Sequence, residues 1–438
     1  MPSAPELARR LGFWAVVSLV IGTIIGSGVF RVTAGIAREV DSVLGIAVVW
    51  ILGGLITLCG TLALAELAAA WPDSGGILVY LREVYGRGTA FVFGWTMIVL
   101  APASAGALAL VFGEYFGTVV PLPPHGVQVV ATLATLVVAA QSYVSTRGAG
   151  VLQTISATAK VAAIAGLVAA AFAFGHLDGG ALSPAAVPIA TNWWGIGIAL
   201  VPVAWAYNGL GDIVYVAGEV RDPGRILPRA FIVGTLAVVA IYLSANAAYL
   251  YVLPLSTIAA SPLVAADVGL KVLGPAGGAI VAVMVMISTF GALNGLVLTQ
   301  PRLFYAMARD AGVLPGLTVV HPRYGTPHLM VLAYAAASLL CVWWRSFEQL
   351  TQAFVLGVWP FYALAAFGVL VARRTHPGVP RPYLTPGYPI VPLIFVIGVA
   401  WIVGSALVAT PVLTLVSLGL SATGIPVYLW MRSRRGVR

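Results

Sequence analysis

Apolar stretches long enough to cross about 30 Å of hydrocarbon follow one another along nearly the whole of this chain. They lie at about 12–37, 44–70, 88–120, 126–143, 149–175 and 192–217, then at about 229–253, 272–300, 328–344, 347–372, 388–409 and 411–431. This pattern predicts an all-α polytopic membrane protein with 12 transmembrane helices. Only 8% of the 438 residues are charged and 60% are hydrophobic, against about 25% charged residues in a soluble globular protein. A water-soluble chain of this size could not cover its surface with so few charges, so no soluble domain is left over.

The formal net charge of +9 raises the question of a nucleic-acid partner, and the placement of the cations excludes it. No basic run with interleaved polar residues occurs in the body of the chain. Arginines fall between the apolar blocks instead, as in cytoplasmic loops. Of the 23 Lys and Arg, Arg31, Arg38, Lys271 and Arg345 fall on the outer side when the N-terminus is placed inside, and Lys160 belongs to neither side. The other 18 fall inside. This asymmetry predicts that both termini are cytoplasmic. The start, MPSAPELARR, reads as a cytoplasmic tail, because no A-x-A cleavage pattern follows it. Cys59 and Cys341 lie within apolar segments and outline no disulfide framework. The stretch 72–87 predicts a short interfacial helix after span 2, and 219–229 a structured cytoplasmic connector.

Two spans carry residues that disfavour a continuous helix. Span 1 contains GTIIGSGVF, with Gly22, Gly26, Ser27 and Gly28; span 6 contains PVAWAYNGLGD, with Pro202, Asn208, Gly209 and Gly211. Each glycine costs about 1 kcal/mol relative to alanine in a helix interior. Close small-xxx-small packing would account for Gly22 and Gly26 alone. Position argues for more: Gly26 lies 14 residues into span 1 and Asn208 lies 16 into span 6. Five spans separate the two starts, and an odd number inverts the second unit. Paired interrupted spans in inverted halves point to the binding site of a secondary transporter. The expected organisation is one transmembrane domain, 1–438, with a first repeat at 12–175 (helices 1–5), a second at 192–372 (helices 6–10) and two appended helices at 388–431.

In chain order, GTIIGSGVF, LAELAAAWPDSGG, AYNGLGD, EVRDPGRILPRA and STFGALNG followed by RLFYAMARDAGVLP resemble the amino acid–polyamine–organocation superfamily, and most of all its L-type amino acid transporters and their bacterial relatives. The resemblance implies a LeuT-like 5+5 inverted repeat with helices 1 and 6 broken, and an amino acid as substrate. Broken helices offer N–H groups and a positive dipole end to an anion, and carbonyls to a cation; a zwitterion needs both. Carried over from the family, Gly26, Ser27 and Gly28 bind the α-carboxylate. The carbonyls of Ile24, Trp205, Ala206 and Asn208 bind the α-ammonium, and Trp205 closes over the substrate. Asn208 and Leu210 depart from the glycine and tryptophan common in relatives. Asn294, polar in mid-span 8, reads either as an interhelical partner or as a substrate neighbour. Tyr242, Ser288 and Thr289 are weaker candidates.

Lys160 lies 11 residues into span 5, about 16 Å along the helix, too deep for easy snorkelling. In sodium-coupled members of the fold a sodium ion sits in the corresponding region, and in the L-type relatives a lysine does. The resemblance therefore implies that the Lys160 ammonium replaces that ion and ties span 5 to span 1, with Gly22 and Thr23 as partners. Two coupling modes stay open: sodium-independent exchange with a fixed charge, and proton symport through Lys160 with Asp212 and Glu66 as relay candidates. A polyamine or amine permease and a nutrient sensor on the same fold are further alternatives. An enzyme is disfavoured, since the five histidines (125, 176, 321, 328 and 376) are scattered near loops and no HExxH or GxSxG occurs. A channel is disfavoured by the paired breaks. No metal, cofactor or nucleic acid is expected.

Relatives that join a glycoprotein heavy chain use a cysteine between spans 3 and 4. GTVVPLPPH at about 117–125 has none, so no disulfide-linked heavy chain is expected, and the protein should be a monomer or weak oligomer. Lys160 and Lys271 stand against 21 arginines. That bias, with abundant Ala and Gly, suggests a GC-rich bacterial source and an inner-membrane location.

Overall fold

The computed structural model describes residues 11–40, 42–72, 75–144, 147–176, 193–209, 220–311, 316 and 318–434. Among the described residues it is all-helical, the one β-bridge being that between Leu11 and Val220. Among the described residues nine helical stretches are long and apolar enough to cross a membrane, and three shorter apolar helices, Ala159–Phe174, Trp193–Ala206 and His328–Trp344, fall where spans 5, 6 and 9 are expected.

The first apolar stretch is three helices in place of one: α1 (Phe13–Ile24), α2 (Gly28–Arg31) and α3 (Thr33–Val40). The helix stops where the glycines begin. Ile25 turns to an extended ψ of 98° while its N–H still reaches the Ile21 carbonyl. The chain continues through α4 (Val43–Ala70), α5 (Ile77–Tyr85), α6 (Arg87–Val119), α7 (Gly126–Val144), α8 (Arg147–Phe174) and α9 (Trp193–Ala206). α5 is the short helix expected within 72–87. Its Tyr85 hydroxyl donates to the Leu364 carbonyl at 2.9 Å, and burial pushes that phenol up to about 12, so it remains a donor at neutral pH.

The remainder is α10 (Pro223–Val252), α11 (Leu255–Ala260), α12 (Val264–Ala311), α13 (His328–Trp344), α14 (Phe347–Thr375), α15 (Ile390–Ala409), α16 (Pro411–Ala422) and α17 (Gly424–Arg434). α10 begins six residues before the expected span, because Pro223 occupies the first turn, where a missing N–H is harmless. α12 spans a kink at Gly274, whose φ of 68° suits glycine. α6 and α8 pack on α12, α4 on α10, α1 on α10, and α14 on α6. The two breaks thus lie inside the bundle.

Two charge clusters sit 25 residues apart on α14, about 38 Å along a straight helix. At one end Glu66, 1% exposed, accepts from Arg373 Nε and Nη2 at 2.8 Å each and from the Thr385 N–H at 2.7 Å. The Arg373 guanidinium also lies 3.9 Å from the Tyr388 ring centroid. Arg381 Nη2 donates to the Ala372 and His376 carbonyls, so the segment after α14 closes over the ends of α4 and α14. At the other end Arg31, counted from sequence among the outer-side cations, is buried. Its Nε meets Glu114 of α6 at 3.0 Å and its Nη2 meets Glu348 of α14 at 2.8 Å. The break shortens α1 and leaves Arg31 inside the bundle, where only two carboxylates make burial tolerable.

Arg373→Met would leave Glu66 buried without its bidentate partner, and we expect a loss of about 3 kcal/mol. The unfolding midpoint in detergent should fall accordingly, and adding Glu66→Gln should recover more than half of the loss.

Candidate functional site

The two broken regions cross by reciprocal close approach. A Cβ on Gly28 would lie 2.5 Å from the Ala206 Cβ, and one on Gly209 would lie 2.9 Å from Ile24 Cγ1 and 3.1 Å from its Cα. Glycine at both positions lets the backbones touch where any side chain would force them apart. Tyr242 on α10 fastens the crossing: its hydroxyl lies 3.0 Å from the Ile24 carbonyl and 2.9 Å from the Ala206 carbonyl. These are the last carbonyls of α1 and α9, which have no partner within their own helices. Trp50 and Tyr207 pack edge-on and tilted against the Tyr242 ring. One turn along α10, Asn246 accepts from the Thr33 hydroxyl at 2.9 Å, so the same helix also holds α3.

Beside the crossing is a cavity of about 250 Å³. It is lined by Ile24, Gly26, Ser27, Gly28, Trp205, Ala206, Asn208 and Lys160, eight residues that the sequence nominated on separate spans. Gly26 has nothing within 4 Å of where its Cβ would be, and the N–H groups of Gly26 and Ser27 make no hydrogen bond among the described residues. Ser288 Oγ donates to the Gly26 carbonyl at 3.4 Å. Lys160, 1% exposed, places Nζ 3.4 Å from the Gly22 carbonyl and forms no ion pair among the described residues. The Thr23 hydroxyl, expected beside it, turns back onto Leu19 of its own helix.

Trp205 stands edge-on to Phe347 and Phe354 of α14, with centroids at 6.4 and 5.8 Å. The Arg31 guanidinium lies 5.2 Å from the Phe347 ring. An aromatic layer backed by an ion cluster therefore covers the cavity at the Arg31 end. Asn294 is fully buried on α12 but does not line the cavity; Ala292 and Gly295 do. Thr289 bonds within its own helix. Glu66 is in the remote cluster with Arg373. Asp212 and Leu210 lie outside the described residues.

Sequence reasoning missed Ser104, Gln300 and Tyr362, which line the same cavity. Ser104 belongs to a stripe, Met97, Ala101, Ser104 and Leu108, that recurs at helical spacing beside Pro102; that periodicity was the available signal. Ser27 Oγ, Ser104 Oγ, Asn208 Oδ1 and Gln300 Oε1 are all buried at this cavity without a hydrogen-bond partner among the described residues. Each such atom costs about 1–3 kcal/mol unless something polar meets it. Four around one cavity, with a lysine and free backbone N–H groups, suit a small ligand bearing charges of both signs.

The sequence profile of the amino acid permease family matches residues 11–431. The chain belongs to this family. The serine/threonine exchanger SteT of Bacillus subtilis (strain 168) is 32% identical over 434 residues, covering 98% of each chain. The human b(0,+)-type amino acid transporter 1 is 30% identical over 400 residues, 88% of this chain and 80% of the relative. The human large neutral amino acids transporter small subunit 2 is 30% identical over 437 residues, 96% and 80% of the two chains. The resemblance to the amino acid–polyamine–organocation superfamily, its L-type members and bacterial relatives therefore holds. The family consists of membrane transporters and not enzymes, with an amino acid as substrate.

Gly28→Ala places a methyl group against the Ala206 backbone, and we expect it to cost about 1–3 kcal/mol and to lower the unfolding midpoint. Gly26→Ala should leave that midpoint nearly unchanged, because its methyl group enters open space, yet weaken amino acid binding measured on the purified protein.

Proposed function

We propose that this protein is a sodium-independent exchanger of neutral L-amino acids, working by alternating access across a bacterial inner membrane. Twelve spans, a 5+5 inverted repeat and cytoplasmic termini complete the reading, the last from the arginine asymmetry. The observation that carries it is the convergence of both breaks and Lys160 on one cavity. The substrate carboxylate is assigned to Gly26, Ser27 and Gly28, whose region offers N–H groups without acceptors among the described residues. The ammonium is assigned to the carbonyls of Ile24, Trp205, Ala206 and Asn208. Two of these, Ile24 and Ala206, share the single O–H of Tyr242, and a carbonyl oxygen can accept a second bond. The Trp205 indole, set against Phe347 and Phe354, is the covering group that must move to admit substrate.

Lys160 supports sodium independence, because its ammonium already sits at the Gly22 carbonyl, where a coupling cation would otherwise be held. Exchange follows from the orphaned polar atoms. With substrate bound they are satisfied, whereas an empty cavity would carry them unpaired through the occluded state, which raises the barrier to empty return. Glu66 is held by three hydrogen bonds from Arg373 and Thr385, an arrangement that favours exchange over a proton relay through that carboxylate. The names of the relatives, which act on serine, threonine or large neutral amino acids, support a neutral substrate.

Proteoliposome uptake tests the reading. Transport should persist when sodium is replaced by choline, rise at least tenfold when amino acid is preloaded inside, and fall nearly to background in Lys160→Ala. Uptake that needs sodium, or that responds to a proton gradient and not to preloading, would overturn it.

A further inference from the structure

A second cavity, of about 380 Å³, lies against the ion cluster at the Arg31 end, lined among others by Glu114, His125, Gln128, Arg345, Ser346 and Phe347. It shares Phe347 and Glu114 with the layer that covers the first cavity. Phe347 stands edge-on to Trp205, and Glu114 Oε2 accepts from Arg31 at 3.0 Å. The volume falls in the range of small-molecule sites, about 300–1,000 Å³. Its charged groups have opposite sign and spare capacity. Glu114 Oε1 makes no hydrogen bond among the described residues, and the exposed Arg345 forms no ion pair among them. Ser346 is different, since its hydroxyl is used by the Gln349 N–H in the capping box of α14.

We propose that this second cavity is a loading subsite for the same zwitterionic amino acid, with Arg345 taking the carboxylate and Glu114 the ammonium. The inference rests on the transport reading above and adds a place where substrate pauses before the central cavity. It also gives the pause a consequence. The incoming ammonium meets the Oε1 that Arg31 leaves free and shares the charge of the same carboxylate, so arrival of substrate weakens the contact between α2 and α6. Phe347 carries the same Arg31 on its ring face and meets Trp205 on its edge. Loosening Arg31 therefore releases the aromatic layer that Phe347, which lines this cavity, shares with Trp205. Glu348, still 2.8 Å from Arg31, keeps the guanidinium paired while Glu114 is occupied, which spares the cost of a lone buried charge.

The test is exchange of external amino acid into cells that express the full chain and are preloaded with it. Arg345→Gln should raise KM about tenfold, the effect of one charge-assisted hydrogen bond, with Vmax within twofold of the unaltered protein. Arg345→Lys should recover most of the loss. Arg38→Gln, which removes an exposed arginine of α3 outside this cavity, should leave KM unchanged. Inhibition by an amine analogue lacking the carboxylate should be equal in the unaltered protein and in Arg345→Gln. A KM within twofold of the unaltered value in Arg345→Gln, or an equal rise in Arg38→Gln, overturns the loading subsite alone. Failure of the unaltered protein to exchange any amino acid would instead remove the transport reading beneath it.

Discussion

The arrangement depends on one close contact, the crossing of the two interrupted helices. Gly28 against Ala206 and Gly209 against Ile24 bring the backbones to a separation that no side chain would permit. The contact leaves the terminal carbonyls of α1 and α9 within reach of one hydroxyl, that of Tyr242. Inside a bilayer such carbonyls cannot turn to water, so an internal donor or a ligand must meet them. The breaks, the tyrosine and the cavity are therefore one structural decision.

α14 joins that site to both ends of the molecule. Its first turn carries Phe347 and Glu348, which meet Trp205 and Arg31, and its last turns carry Arg373, which meets Glu66. The two clusters differ in kind. Glu66 is enclosed by a bidentate guanidinium, a backbone N–H and a covering segment, an arrangement that resists change. Arg31 is shared between two carboxylates on different helices and lies on an aromatic face. It can give up one carboxylate and stay paired.

The polar atoms of the central cavity show how binding and transport are linked energetically. Buried groups without partners weaken an empty carrier by an amount that a matched ligand restores. Placing them on four separate helices, α6, α12 and the regions around the ends of α1 and α9, makes the ligand a part of the packing between those helices. A ligand with that role biases which arrangement of the bundle is stable.

Much of this was legible in the sequence, for identifiable reasons. Apolar length and the scarcity of charge require a helical membrane bundle, because lipid leaves a spanning backbone no other partners. The clustered glycines of GTIIGSGVF and AYNGLGD mark helix ends through a local backbone preference. Lys160 stands out because charge at membrane depth is costly wherever its partners are. Other features could not be read in that way. Arg31 could only be counted among the outer-side cations, since its two carboxylates lie 83 and 317 positions further along the chain. Asn294 could be read as an interhelical partner or as a substrate neighbour, and it is Ala292 and Gly295 of α12 that line the cavity. Ser104 and Tyr242 are unremarkable in sequence and matter only through what faces them. The sequence alone determined that the chain is a bundle of apolar helices and where two of them stop, because hydropathy and glycine act locally. Only the tertiary structure decided which side chains share a cavity and which charges find each other, because those depend on how distant helices rotate and cross.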